Sequence, residues 1–258
     1  MHRSIVMALL LLVGGCADSL GLPSPEASKT IADAKLVGVI SAVGHKFAVQ
    51  KIGITAFGNE LNEVPIEVWG IDDAVANRVS SLLSARFAVK RISHPKQAFD
   101  PYEKPSPFTD SDALLQGIVR SVAGSQTCDL YIVVTRAGVP FGSSNQIVSG
   151  LGIVEVGGLI NADNVHLFAI TTVHVYDGRT FARLHWKRAE FQIGASLVGR
   201  VINGPHRTLD RSWWPASPQV AQNEKLKSAT RALVEQSLAV AIPEIMGVKT
   251  AAREKKEP

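Results

Sequence analysis

The amino-acid sequence predicts an α/β fold: a single mixed β-sheet with packed helices, in the order ββ-α-β-α-β-(insert)-β-β-α. Three observations carry that expectation. Short apolar runs alternate with stretches of helical period through the first half. One run, "CDLYIVVTRAG" from Cys128, is apolar in succession, as suits a strand covered on both faces. The second half holds two long β segments joined at Asp177-Gly178, a dipeptide that favours a hairpin turn.

Taken in order, "AKLVGVISAVG" reads as a first strand ending at Gly44, and "KFAVQKIGITAF" as a second. Phe47 and Val49, then Ile52 and Ile54, alternate along it, so the two are expected to form a hairpin across a Gly-His turn. "IDDAVANRVSSLLSARF" places Val75, Val79, Leu82, Leu83 and Phe87 at helical spacing, with Asp72 or Asp73 as the cap. "FAVKRI" is a strand. In "TDSDALLQGIVRSVAG" the stripe Leu114, Ile118 and Val122 marks a helix stopped by Gly124. The closing helix, "NEKLKSATRALVEQSLAVAIPEIMG", carries Leu226, Ala229, Leu233 and Val240 on one side, with Pro243 kinking or ending it.

The amino terminus reads as a signal. His2 and Arg3 form a basic start, Ile5 to Val13 an apolar stretch, and Gly14-Gly15 a small pair before Cys16. About ten apolar residues fall well short of the ~20 that span a bilayer. Val13-Gly14-Gly15-Cys16 resembles the bacterial lipobox. The resemblance implies cleavage before Cys16, lipidation of its thiol and acylation of the new terminus. Several acyl chains hold a protein stably where one does not. Ala17, rather than Asp, follows the cysteine, which favours the outer over the inner membrane for this periplasm-facing protein. The expected organisation is a signal peptide over 1–15, a lipidated tether rich in Ser, Ala, Pro and Asp over 16–33, one α/β domain over 34–248, and a charged tail over 249–258.

Cleavage removes Arg3 from the 27 Lys and Arg, leaving 26 against 23 Asp and Glu, a formal balance of +3. That mild charge, without a basic cluster interleaved with aromatics, does not point to nucleic acid. Of the two cysteines only Cys128 then keeps its thiol, which excludes an internal disulfide; Cys128 reads as a small core residue.

The element order, the strand "CDLYIVV", the hairpin residues Tyr176-Asp177-Gly178-Arg179-Thr180 and the closing helix resemble the periplasmic α/β domain of the TolB amino-terminal and CsgG-like group. The resemblance covers most of residues 35–247. It implies a fold of that kind in a bacterial envelope lipoprotein. It departs at "KIGITAFGNELNEVPIEVWGID", where an Asn- and Glu-bearing loop follows the second strand. Insertions in the curli secretion lipoprotein supply membrane-spanning β segments. The insert here, 138–164, carries Ile147, Val148, Leu151, Ile153, Val154 and Val156 but is short for a barrel hairpin, and is expected to fold over the sheet.

No catalytic constellation, metal site or cofactor motif is expected. "GASLVG" at Gly194 has the wrong spacing for a nucleophile elbow, and "GLGIVEVGG" at Gly150 lacks the dinucleotide pattern. His166, His174 and His185 lie in or beside the long hairpin, where His174 and His185 would need opposite register and a third ligand to hold a metal. The expected function is non-catalytic: a lipid-anchored envelope protein acting through protein–protein binding. A secretion or pore subunit, or an envelope hydrolase, are the alternatives. Trp213 and Trp214, in the Pro-bounded "DRSWWPASP", are the candidates for the partner contact, since aromatic anchors beside charges resemble an interface core with a polar rim.

Labelled palmitate tests the anchor. Wild-type protein expressed in a bacterium should incorporate label and Cys16→Ser should not; label retained by the variant would overturn the lipoprotein reading.

Overall fold

The computed structural model describes residues 23–53, 56–142, 144–156, 164–189, 202–215 and 219–248. Cys16 and the charged tail lie outside the described residues. The fold is α/β, with ten strands in one mixed sheet and helices packed on it. The strands are β1 (Leu36–Ala42), β2 (Lys46–Ile52), β3 (Glu60–Pro65), β4 (Ala88–Arg91), β5 (Leu130–Arg136), β6 (Gly138–Pro140), β7 (Ile147–Val156), β8 (Asn164–Asp177), β9 (Arg183–Arg188) and β10 (His206–Asp210). The helices are α1 (Pro25–Asp33), α2 (Ile71–Leu83), α3 (Asp100–Glu103), α4 (Ser111–Ala123) and α5 (Glu224–Ile245).

One strand organises the rest. Residues 164–170 of β8 pair with β7 and β10, whereas residues 171–177 pair with β5 and β9. The sheet therefore has two halves along β8, one running β4-β1-β5-β8-β9 and the other β3-β2-β7-β8-β10. β1 and β2 fall in different halves. β1 lies parallel between β4 and β5, and β2 lies parallel to β7. Since β5 and β7 are both antiparallel to β8, β1 and β2 point the same way.

The expected β1–β2 hairpin is thus corrected: the chain jogs between halves and does not turn back. Asp72 holds the jog, accepting from Ser41 Oγ at 2.6 Å, Val43 N at 2.9 Å and Gly44 N at 3.1 Å. A Cβ on Gly44 would meet Ile71 Cβ at 2.8 Å, so glycine lets the jog pass against α2. Asp72 and Asp73 are not caps, because Gly70 takes the N-cap position in the left-handed region at φ 61°.

Other expectations also shift. The stretch after the second strand, expected to be a loop, contains β3, antiparallel to β2. The insert does not merely fold over the sheet, because it supplies β7 between β2 and β8, with Leu151, Ile153 and Val154 fully buried. Part of the expected tether, 25–33, is helical. Ser24 caps α1 through its side chain, and Ala27 and Ile31 are buried.

The first face of the sheet is covered by α2 and α5. Phe47, Ile132, Leu151, Leu167 and Val173 meet Val75, Val79, Leu83, Leu233 and Leu238 there. The second face carries two separate apolar clusters. In one, α4 packs on Ile40, Tyr131 and Val133; in the other, Val139, Phe141 and Ile202 pack on Phe168 and Ile170. The row of α4 that is buried is Leu115, Val119 and Ala123, one residue on from the expected stripe, whose Ile118 and Val122 flank it half-buried. Both rows are apolar at i, i+4 spacing, so helical period alone cannot separate them. On α5, Leu226 and Leu233 are buried as expected, but Val240 is 42% exposed.

That difference gives a paired test. Leu233→Asp should lower stability by several kcal/mol, as unpaired buried charges do, whereas Val240→Asp should stay within about 0.5 kcal/mol. Denaturant melts of both variants check the helix face.

Candidate functional site

The two halves of the sheet meet beside the carboxyl ends of β1, β4 and β5, the end where open α/β sheets place ligands. Charged residues gather there from distant segments. Lys46 opens β2, Glu63 comes from β3, Arg136 closes β5 and Arg188 closes β9, while α3 and the residue after it bring Tyr102, Glu103 and Lys104 across them. They line a cavity of about 360 Å³, and a neighbouring one of about 420 Å³ shares Lys46, Glu63, Glu103 and Lys104 with it. The result is a continuous groove. It lies between the two apolar clusters of the second face, where β8 contributes Thr172 and His174 instead of apolar side chains.

Arg136 is the rigid member. Its side chain is only 6% exposed and donates to Lys46 O at 3.3 Å and Ser149 O at 3.4 Å. Burial works against its charge, and Glu103 and Glu63 oppose that effect. Gly150, at φ 66°, lies against the guanidinium, and any Cβ there would overlap Arg136 Nε. Glu103 accepts from Lys46 at 3.0 Å and shares 3.1 Å with His45 Nε2. Burial pushes its carboxyl up, but His45, Arg136 and Lys46 outweigh that and hold it at about 2.

His174 sits deeper. Its Nε2 lies 3.2 Å from Thr135 Oγ1, and its Nδ1 is buried without a partner. Burial, with some help from Arg183, pushes it down to about 3. The register sets His174 opposite Trp186 and His185 opposite Val175, so the two histidines are not a facing pair. His166 contacts Thr208 at 3.1 Å on the other half. Among the described residues, no three His, Cys, Asp or Glu side chains gather as metal ligands. Cys128 is a buried free thiol.

The groove opens towards an edge of the sheet. Among the described residues no strand pairs with the outer side of β3, and Glu60, Leu61, Asn62 and Glu63 are exposed along it. Leu61 is 63% exposed, and Phe57 in the preceding 3-10 turn is fully exposed. Trp213 and Trp214 stand elsewhere, half-buried against the first-face core, with Lys225 Nζ 3.8 Å from the Trp213 ring centre. None of the groove residues was singled out by sequence reasoning. They are spread from Lys46 to Arg188 without a motif; the visible signal was Arg136, a charge closing an otherwise apolar run.

Fold and site together define an α/β domain whose stapled mixed sheet holds an ionic groove beside an open strand edge. No protein-family model and no curated protein matches the chain. Among solved structures it is similar to the PelC dodecamer from Paraburkholderia phytofirmans, with 13% identity over 80% of this chain and 86% of that one, at a TM-score of 0.29. It is also similar to lipoprotein GNA1162 from Neisseria meningitidis, with 12% identity over 78% of this chain and 96% of that one, at a TM-score of 0.26. At these TM-scores the function has to be read from the chain's own residues.

Two buried groups set an acid response. His174 is held neutral below its usual ~6.5, so stability is full above that pH and declines as pH falls towards 3, by about 1.4 kcal/mol per unit for one proton. Glu103 is held ionised below its usual ~4.3, so its contribution is lost between there and about 2. Stability measured against pH should fall less steeply than in wild type between 6.5 and about 3 in His174→Gln, and between about 4.3 and 2 in Glu103→Gln.

Proposed function

We propose that this chain is a lipid-anchored protein of the bacterial envelope that acts by protein–protein binding and not by catalysis. The sequence supports the anchor through Val13-Gly14-Gly15-Cys16. The single observation that supports binding is the β3 edge. An exposed edge strand offers unpaired backbone groups to another strand, and native proteins usually blunt such edges. Here Leu61 and Phe57 make it apolar as well as open. Glu60 adds negative charge at its start, whereas Glu63 is engaged by Lys46 and Arg136. The partner segment is therefore an extended strand of another envelope protein, apolar with basic residues, added by β-augmentation. The Trp213-Trp214 pair ranks second as a contact, because both rings already rest on the core.

A photo-reactive residue at exposed position 62 of the full-length lipoprotein, in its native membrane, tests this. A discrete adduct with a different protein is expected, lost in Leu61→Lys and kept in Trp213→Ala/Trp214→Ala. Leu61→Lys changes an exposed side chain and should move stability by no more than about 0.5 kcal/mol. Absence of an adduct, or an adduct only with a second copy of the chain, would overturn the reading. Turnover of a hydrolase substrate by the purified protein would overturn the non-catalytic part.

A further inference from the structure

We propose that the groove between the sheet halves binds a dianionic phosphate group, independently of any partner at the β3 edge. The charge account around the 360 Å³ cavity points there. Four cationic side chains line it, Lys46, Lys104, Arg136 and Arg188, against two carboxylates, Glu63 and Glu103. Both carboxylates are committed. Glu103 pairs with Lys46 and His45, and Glu63 pairs with Lys46 and Arg136 at 3.5 Å each.

Lys104 and Arg188 have no acidic partner among the described residues, which leaves the lining of this cavity two positive charges in excess, while the neighbouring cavity adds Lys96 against Glu67 and Asp100. Two independent details show that the guanidinium groups are held in place. Arg188 is partly buried and its Nε is enclosed without a hydrogen-bond partner, a costly state for a guanidinium unless a ligand completes the charge balance around it. Arg136 is fixed by two backbone carbonyls over the bare backbone of Gly150, so it is ordered before any ligand arrives.

A carboxylate would neutralise one of the two charges; a phosphate dianion neutralises both. Its several oxygens also match guanidinium forks, which recognise phosphate in paired hydrogen bonds. The cavity falls within the volume range of small-ligand sites, with room for a phosphate and a modest substituent. Tyr102 and Ser149 add hydroxyl groups to its lining. The phosphate could arrive on a soluble molecule or on a lipid headgroup, and the chemistry of recognition is the same for both.

The full-length lipoprotein in detergent, titrated with inorganic phosphate against chloride at equal ionic strength, should show saturable binding by calorimetry and a raised melting midpoint. Lys104→Gln changes an exposed residue and should fold as wild type while weakening phosphate at least tenfold; Lys104→Arg should restore it. Arg188→Gln should weaken it further, whereas Lys227→Gln on α5 should leave it unchanged. Flotation with vesicles containing phosphatidate separates the sources: competition between vesicles and phosphate assigns a lipid headgroup, and phosphate binding without vesicle competition assigns a soluble phosphate compound. No saturable binding by wild type, or equal binding by Lys104→Gln, would overturn the proposal. The proposal's failure leaves the adduct at position 62 unaffected, so the two readings fall separately.

Discussion

The structure depends on β8 being long enough to serve both halves of the sheet at once. Fourteen residues at about 3.3 Å each reach roughly 46 Å, well beyond an ordinary strand. Its middle twelve residues are all buried, so both of its faces and both of its edges are occupied. Without it, β1 and β5 would form one small sheet with β4, and β2 and β7 another with β3. The jog between β1 and β2 and the arm from β5 through β6 to β7 make sense only because β8 runs past both joints.

That joint is also where apolar packing on the second face stops. Phe168 and Ile170 belong to one cluster and Tyr176 to the other, while Thr172 and His174 stand between them. A polar strip inside a sheet is costly unless its members are satisfied, and this one is only partly so. Among the described residues, His174 Nδ1, Glu103 Oε1 and Arg188 Nε all lack a hydrogen-bond partner. The helices on the first face supply the compensation. α2 and α5 cover a continuous apolar surface across both halves, so the ionic strip on the opposite side can remain incompletely paired without loss of the fold.

Much of the architecture was legible in the sequence, for reasons that particular elements make plain. β5 reads as a two-face buried strand and is one, with all seven residues buried. The β8–β9 hairpin turns at Asp177-Gly178, where the Asp177 carboxylate accepts from Arg179 N and Thr180 N. Gly178 is required there because a Cβ would run into the Cys128 carbonyl. Local chemistry encodes such features. The jog at Gly44 was misread because a Gly-His pair between two apolar runs looks the same whether the chain reverses or continues; the deciding contact, Asp72, lies 28 residues away. The groove was illegible for a stronger version of the same reason. Its six charges come from five separate segments, and no motif links them until the sheet brings them together.

Cys128 gives the molecule a built-in reporter. It lies beneath α4 in the second-face core, and burial raises its thiol above the usual range, so an alkylating reagent finds neither access nor thiolate in the closed state. If Cys16 is lipidated as proposed, every alkylation event would count an opening of the α4 side of the sheet. The labelling rate, set against that of an exposed thiol, then reads the free energy of that opening directly. Local loosening around α4 can be followed in the membrane-bound protein without an engineered probe, and distinguished from loss of the α2–α5 side, which buries no thiol.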